Sequence, residues 1–515
     1  MPSLLDQPAI RVTTDRLSLS GVLAGLARDE IASFPALRPH QRHAWHAFLV
    51  QVGALALWGA GRETMPEDEP SWRELLRGLT PEFSDDEPWS LVSAADRPAL
   101  LQPPIPGGLK DLKNRIETPD ALDMLVTSKN HDLKQAVMWE AEADDWLFAL
   151  VTLQTMEGFL GAGNYGVSRM NGGFANRPAL GVEPSGWPGV RVRRDIEHLL
   201  ALRHAGTMPP SYADADGLAL VWLRPWDGIV PLRQVELDPW YVEICRRVRL
   251  IETEGRITAQ AGSSKAARIV PVTGGVTGDP WAPTLQDKEG LKVLTVDAGG
   301  FGYRRMVRLL FGRDGHEPSP LSRVSADDAA TGLTVLARAL TRGQGKTEGF
   351  HERRVPVSKV VIEMFSNRQT EPLAAAATER VKLAGEIQNR VLKPALYALF
   401  ENGPDQVDYK DNGAEARARD FLAKFERAVD ATFFDDLWRE FEPGASLTDS
   451  KADWVGRLLH GVAWPLVVAA DRSMSKGVGR RWRALARAEG LFWSAARRNK
   501  DLQPYWREVP RDDAA

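Results

Sequence analysis

The segment from Gly161 to Pro178, GAGNYGVSRMNGGFANRP, holds five glycines, several asparagines, two arginines and no carboxylate. Glycine has no Cβ and tolerates positive φ, so backbone N–H groups here can approach a polyanion or a base edge, with Arg169 and Arg177 adding charge. That chemistry suits a phosphate-rich partner; the alternative is a glycine-rich turn between packed elements. A second cationic stretch runs from Arg338 to Arg354 and contains GQGKT at 343–347. A phosphate-binding P-loop would need glycine at 340, where Leu340 stands, and a strand before it with a helix after. The spacing here predicts an amphipathic helix before and a strand after, so nucleotide hydrolysis is not expected. Arg342, Lys346, Arg353 and Arg354 suit nucleic-acid phosphates, or form a solvated basic loop. A third stretch, Lys476 to Lys500, carries eight basic residues against Glu489 alone. Arg480, Arg481, Arg483 and Arg487 there form either a phosphate track or an ordinary solvated helix face.

Other chemistry is sparse. His40, His43 and His46 recur every third residue, but each helical step of three falls about 60° short of a turn, so they do not converge on one ion. Asp144 and Asp145 beside Trp146 read as a solvated acidic face. No HExxH, nucleophile elbow, cysteine–histidine pairing or dinucleotide fingerprint occurs, and neither a metal, a cofactor nor catalysis is expected. Cys245, the single cysteine, excludes an intramolecular disulfide and reads as a buried thiol.

At 515 residues the chain is long enough for two or three domains. With 43% apolar and 26% charged residues and no long apolar run, it reads as a soluble globular protein without a membrane span. MPSLLDQPAIRV lacks a basic flank and an apolar core, so a cytoplasmic location is expected. The net charge of −4 hides segregation: nine acidic against three basic residues lie between Gly61 and Glu87, opposite in sign to the basic C-terminal stretch. IRVTT reads as a short strand followed by a helix capped by Ser18 or Ser20, and Pro39 starts a buried helix through residue 58. A helix over 141–160 feeds the glycine-rich loop. LALVWL (218–223), RIVPV (268–272), KVLTV (292–296) and KVVIEMF (359–365) read as strands. Beyond Gln369, four stretches with 3.6-residue apolar spacing, about 371–401, 412–441, 448–474 and 480–500, predict an antiparallel four-helix bundle. The expected fold is α+β: a large mixed α/β domain over 1–369 followed by a four-helix bundle over 370–515.

SLLDQPAIRV, HQRHAWHAFLVQV, KNHDL (129–133), the glycine-rich loop, GDPWAP (278–283), SNRQ (366–369) and the terminal bundle together resemble the CasA family, the large subunit of the type I-E CRISPR surveillance complex Cascade. The resemblance spans nearly the whole length. It implies a non-catalytic subunit that recognises a protospacer-adjacent motif in double-stranded DNA and starts unwinding for R-loop formation. Its implied partners are the target DNA, a guide RNA ribonucleoprotein, other Cascade subunits and a recruited helicase-nuclease. Carried onto this sequence, the family's glycine loop falls on Gly161, Gly163 and Asn164, its lysine finger on Lys288 with Lys292 as a rival, and its glutamine wedge on Gln369. Lys129, Asn130 and His131 resemble a loop near the guide's 5′ handle. The rival expectation is an enzyme that binds a nucleotide or sugar phosphate through the glycine-rich loop.

Overall fold

The computed structural model describes the chain apart from residues 1–2, 124–137, 139, 167–168, 170–176, 208–210, 214–215, 271–276, 326, 331, 344–345, 475–476 and 507–515. Two compact units emerge: a mixed unit of Met1–Phe301, Gly312–Val324 and Thr331–Arg354, and a helical unit of Gly302–Phe311, Ser325–Ala330 and Val355–Ala515. The architecture is the α+β one expected, with the helical region at the C-terminal end.

At the centre of the mixed unit lies the helix Arg42–Gly59. Its run from Ala44 to Leu57 is buried because neighbours cover it on several sides: helices Glu69–Arg77, Ala143–Met156 and Pro188–His204, and strand Leu237–Val242. Pro39 opens a 3-10 turn ahead of it, where a missing N–H breaks no helical hydrogen bond. Upstream, Ser18 caps the helix Leu19–Ala27 by accepting from Gly21 N at 2.8 Å. One antiparallel sheet orders Asn114–Ile116, Arg256–Gly262 and Arg247–Thr253; another places Leu333–Gly343 between Ala179–Pro184 and Lys346–Val357. A third sets Thr284–Asp287 between Gly290–Val293 and His316–Glu317.

Four sequence expectations need correction. KVVIEMF is the helix Lys359–Ser366, not a strand: Val361 and Ile362 are buried and Phe365 stacks on Phe311 at 5.9 Å, so packing overrides the β-branched composition. The segment before GQGKT is a strand, not an amphipathic helix. Its Leu333, Leu336 and Leu340 mimic helical spacing because a central strand buries residues on both faces. LALVWL keeps strand geometry only over Leu218–Leu220, then tightens into a 3-10 turn, and KVLTV ends as a strand at Val293.

The three helical histidines turn to separate partners, as their spacing requires. His40 Nε2 meets Asp123 at 2.7 Å, His46 Nε2 meets Asp195 at 2.7 Å, and the His43 ring packs edge-on to Trp281. Burial, aided by the Arg191 charge, pushes the His46 imidazole down to about 4 despite Asp195, and burial also lowers His43. The unfolded chain therefore binds protons near pH 6.5 that the folded chain refuses until near pH 4. Stability is complete above that window and declines as pH falls through it. His46 alone removes about 2 kcal/mol between pH 7 and pH 5. Urea midpoints at the two pH values measure the loss, and His46→Gln should flatten it.

In the helical unit, Glu371–Glu386 continues through a π-turn, Ile387–Leu392, into Lys393–Phe400. After Asn412–Arg439, Leu447–Gly456 likewise passes through a π-turn, Arg457–Ala463, into Trp464–Arg472, and Val478–Arg498 closes the set. Each π-turn directly precedes a proline in the second position of the following helix, Pro394 or Pro465. A proline inside a helix lacks an N–H and crowds the carbonyl four residues back; widening the turn accommodates both.

Candidate nucleic-acid interface

The helix Ala143–Met156 carries the chain into the glycine-rich loop. Asp144 and Asp145 at its start are buried, and each lies 2.8 Å from Arg11 Nη2. The expected solvated acidic face is instead an internal ion pair that fixes the helix to the first strand. At the other end Glu157 pairs with Arg246, Nη2 to Oε2 2.9 Å. The same guanidinium donates to Gly158 O at 2.8 Å and to Tyr165 O, closing the neck of the loop. Inside it, Asn164 N donates to Gly161 O at 3.0 Å and Leu160 N to Asn164 O at 2.8 Å.

Two glycines serve the loop's own closure. Gly163 has φ +88°, and a Cβ there would lie 2.8 Å from Ser263 Cβ. A Cβ on Gly166 would lie 2.5 Å from the Gly158 carbonyl carbon, a backbone atom that cannot step aside. Gly161, by contrast, faces open space, with nothing within 4 Å of the position a Cβ would take. The outward edge of the turn is therefore Gly161 to Asn164, with Asn164 exposed.

Arg169 and Arg177 do not serve as surface charge. Arg169, expected as a phosphate contact, is fully buried: it donates to Pro239 O at 3.0 Å and Tyr241 O at 3.1 Å and lies 3.5 Å from Glu243. Arg177 is buried between Glu243, at 3.1 Å, and Asp279, with Nη2 to Oδ1 at 2.9 Å. Burial alone would push the Asp279 carboxyl up, but the two guanidiniums outweigh it and hold it below its ordinary range. With no solvent-facing nitrogen, neither arginine can reach a phosphate. They hold the far end of the loop to the strand Leu237–Val242 and to GDPWAP.

Exposed cations come from elsewhere. Ser264 N donates to Gly163 O at 3.0 Å, which sets the exposed Lys265 beside the turn. Lys265 lines a groove of about 420 Å³ together with the exposed Lys110 and Lys113 and with Arg247. Arg247 donates to Ser263 O at 3.0 Å, yet its Nε and Nη2 find no hydrogen-bond acceptor among the described residues. Asn114, Arg247 and Ser263 also line the adjoining cleft that contains Asn164. Asp111 and Asp227 stand on the groove as well, so the wall is mixed but predominantly basic.

The remaining expected residues are dispersed. Lys288 is exposed at the tip of the hairpin joining Thr284–Asp287 to Gly290–Val293, and among the described residues it has no ion pair. Lys292 is occupied by Asp287 at 3.0 Å and Glu289 at 2.5 Å. Gln369 is exposed in the helical unit, between Lys359–Ser366 and Glu371–Glu386, a helix-to-helix junction where a strand-to-helix one was expected. Its N–H donates to Met364 O at 2.8 Å, and Arg368 before it takes a left-handed φ of +58°. Lys129, Asn130 and His131 lie outside the described residues, as do the side chains of Arg342 and Lys346. Arg353 is half-buried, and Arg354 pairs with Glu183. On the helix Val478–Arg498, Arg480 and Arg483 are exposed, Arg481 is held by Asp471 at 2.7 Å, and Arg487 donates to Pro404 O at 3.2 Å. Trp482 among them is 68% exposed, an aromatic face that the charge count alone did not single out. Among the described residues there is no metal-binding cluster and no helix long and apolar enough to cross a membrane.

No family profile matches the sequence, and no curated protein matches it. Solved structures do. CasA of Thermus thermophilus superposes with a TM-score of 0.66 at 18% identity, covering 96% of this chain and 98% of its own. Cse1 of Thermobifida fusca gives 0.63 at 15% identity over 98% of each chain. A chain of a CRISPR RNA-guided surveillance complex gives 0.59 at 14% identity, over 96% of this chain and all of that one. The chain has the CasA fold over at least 96% of its length.

Proposed function

With the fold shared over at least 96% of its length, we propose that this chain is the non-catalytic large subunit of a CRISPR RNA-guided surveillance complex, recognising a short motif in duplex DNA. The observation that supports the reading most is the exposed Gly161–Asn164 turn beside a lysine-lined groove, on a fold common to CasA and a surveillance-complex chain. A turn with no side chain at Gly161 can lie against the floor of a DNA groove, where donors meet the acceptor edges of the bases. Lys110, Lys113 and Lys265 supply phosphate contacts on either side. Lys265 takes the lysine-finger place beside the turn, with Lys288 as its competitor. Gln369 acts as the wedge: one side chain at the fork suffices, because the exchange of DNA duplex for guide heteroduplex is nearly balanced. Arg480, Arg483 and Trp482 on the bundle form a stacking and phosphate surface for DNA. Strand cleavage falls to a helicase-nuclease recruited to the cytoplasmic complex after strand separation.

The test is binding by the reconstituted guide complex, with and without this chain, at fixed salt, on duplexes that differ only in the flanking motif. Motif-dependent binding should require the chain. Unchanged affinity and discrimination in its absence would refute the assignment.

A further inference from the structure

A second site lies in the mixed unit, away from the glycine loop and independent of the DNA reading. A cavity of about 400 Å³ opens at the N-terminus of the helix Pro188–His204, within the size range of small-molecule pockets. That terminus is uncapped: Trp187 in the cap position offers no side-chain acceptor, and Gly186, Trp187 and Pro188 all line the cavity. Pro188 has no N–H and Val190 N already donates to Trp187 O at 3.1 Å, so at this end it is the helix dipole that favours an anion.

Arg191, one turn into the helix, also lines the cavity and is only 7% exposed. Among the described residues it has no ion pair, and its buried Nε has no hydrogen-bond acceptor. A buried guanidinium without an acceptor is costly to the fold unless something supplies one. Burial also pushes its pKa below the ordinary range, although Asp195 and Glu183 oppose this. Two other arginines on the wall are already matched, Arg338 with Glu352 at 2.6 Å and Arg354 with Glu183. Arg42 at the rim is exposed and, among the described residues, unmatched. The surplus positive charge is therefore carried by Arg191 and Arg42. Trp187, 49% exposed, offers a flat apolar face at the same mouth, and Phe34 and Trp45 add apolar wall.

We propose that this cavity binds a small organic phosphate of mononucleotide size, its phosphate on Arg191 at the positive end of the helix dipole and its planar body against Trp187. Planar guanidinium groups match a phosphate's paired oxygens, and the base gains stacking area that inorganic phosphate lacks.

Adenosine monophosphate titrated into the full-length chain, followed by calorimetry and tryptophan fluorescence, tests this. Saturable binding below 1 mM is expected, with inorganic phosphate at least 10-fold weaker and adenosine weaker still. Arg191→Gln should weaken the nucleotide by about 10- to 100-fold, the loss of a charged hydrogen bond. Because Arg191 is buried, Arg42→Ala and Trp187→Ala serve as surface variants; each should weaken binding several-fold at an unchanged unfolding midpoint. No saturation by adenosine monophosphate, or equal binding by both surface variants, would overturn the site. Inorganic phosphate binding as tightly as the nucleotide would overturn its organic ligand.

Discussion

Alanine at Lys110, Lys113 and Lys265 together lowers the affinity of the assembled complex for a motif-bearing duplex by about 100-fold at 150 mM salt. Each phosphate contact contributes a slope of about −0.9 in log affinity against log salt, so the triple variant should also flatten the slope by about 2.7. The two readouts separate a lost phosphate track from a misplaced loop. A damaged loop would erase discrimination between motifs and leave the slope unchanged, whereas alanine at Lys110 and Lys113 alone should flatten the slope by about 1.8, bind all duplexes more weakly and keep their ranking; adding Lys265→Ala should then weaken discrimination as well. Lys288→Ala provides the contrast. If Lys265 is the residue beside the turn, Lys265→Ala alone weakens motif discrimination more than Lys288→Ala does. The reverse order would return the finger to the hairpin tip.

The second large effect concerns stability. Asp279→Ala removes the bidentate partner of Arg177, leaving a buried guanidinium with Glu243, which Arg169 shares, as its one carboxylate among the described residues. Breaking one side of a buried ion pair typically costs about 3–5 kcal/mol, because the remaining charge stays desolvated. The surface pair Lys382 and Asp501, with the lysine 60% exposed, provides the reference: Lys382→Ala should cost under about 1 kcal/mol. Urea unfolding of both variants at pH 7 measures the difference. A loss at Asp279 no larger than at Lys382 would mean that the cluster is not a structural anchor of the loop.

The arginines show where sequence reasoning stops. Nothing local tells Arg169 from a phosphate-facing residue, because its partner Glu243 stands far along the chain and Asp279, which holds Arg177, lies 102 residues away from it. Lys110, Lys113 and Lys265 escaped attention for the complementary reason. They form no run in the sequence and meet only because Arg256–Gly262 pairs with Asn114–Ile116 and then hands Ser264 to Gly163. The C-terminal helices were legible because long 3.6-residue patterns leave few alternatives, and Ser18 because capping is local. Lys359–Ser366 and Leu333–Gly343 were misread for one shared reason: a short apolar segment fits both periods, and neighbours decide between them.

The two π-turns carry a consequence for how this bundle tolerates change. A π-turn holds one residue more than a regular turn, and one residue rotates a helix face by about 100°. Ahead of Ile387–Leu392 the helix lies on Tyr303–Phe311, Asn412–Arg439 and Leu447–Gly456; beyond it, Lys393–Phe400 lies on Val478–Arg498 and Trp464–Arg472 as well as on Asn412–Arg439. The extra residue is thus a phase adjuster at the point where the helix changes neighbours. Deleting it would restore regular winding but turn one half's apolar stripe away from its partners and drive the Pro394 ring into the preceding carbonyl. Proline and insertion therefore have to be gained or lost together, and a single-residue deletion at either π-turn should be rejected unless the proline goes with it and the apolar stripe beyond it is shifted to match.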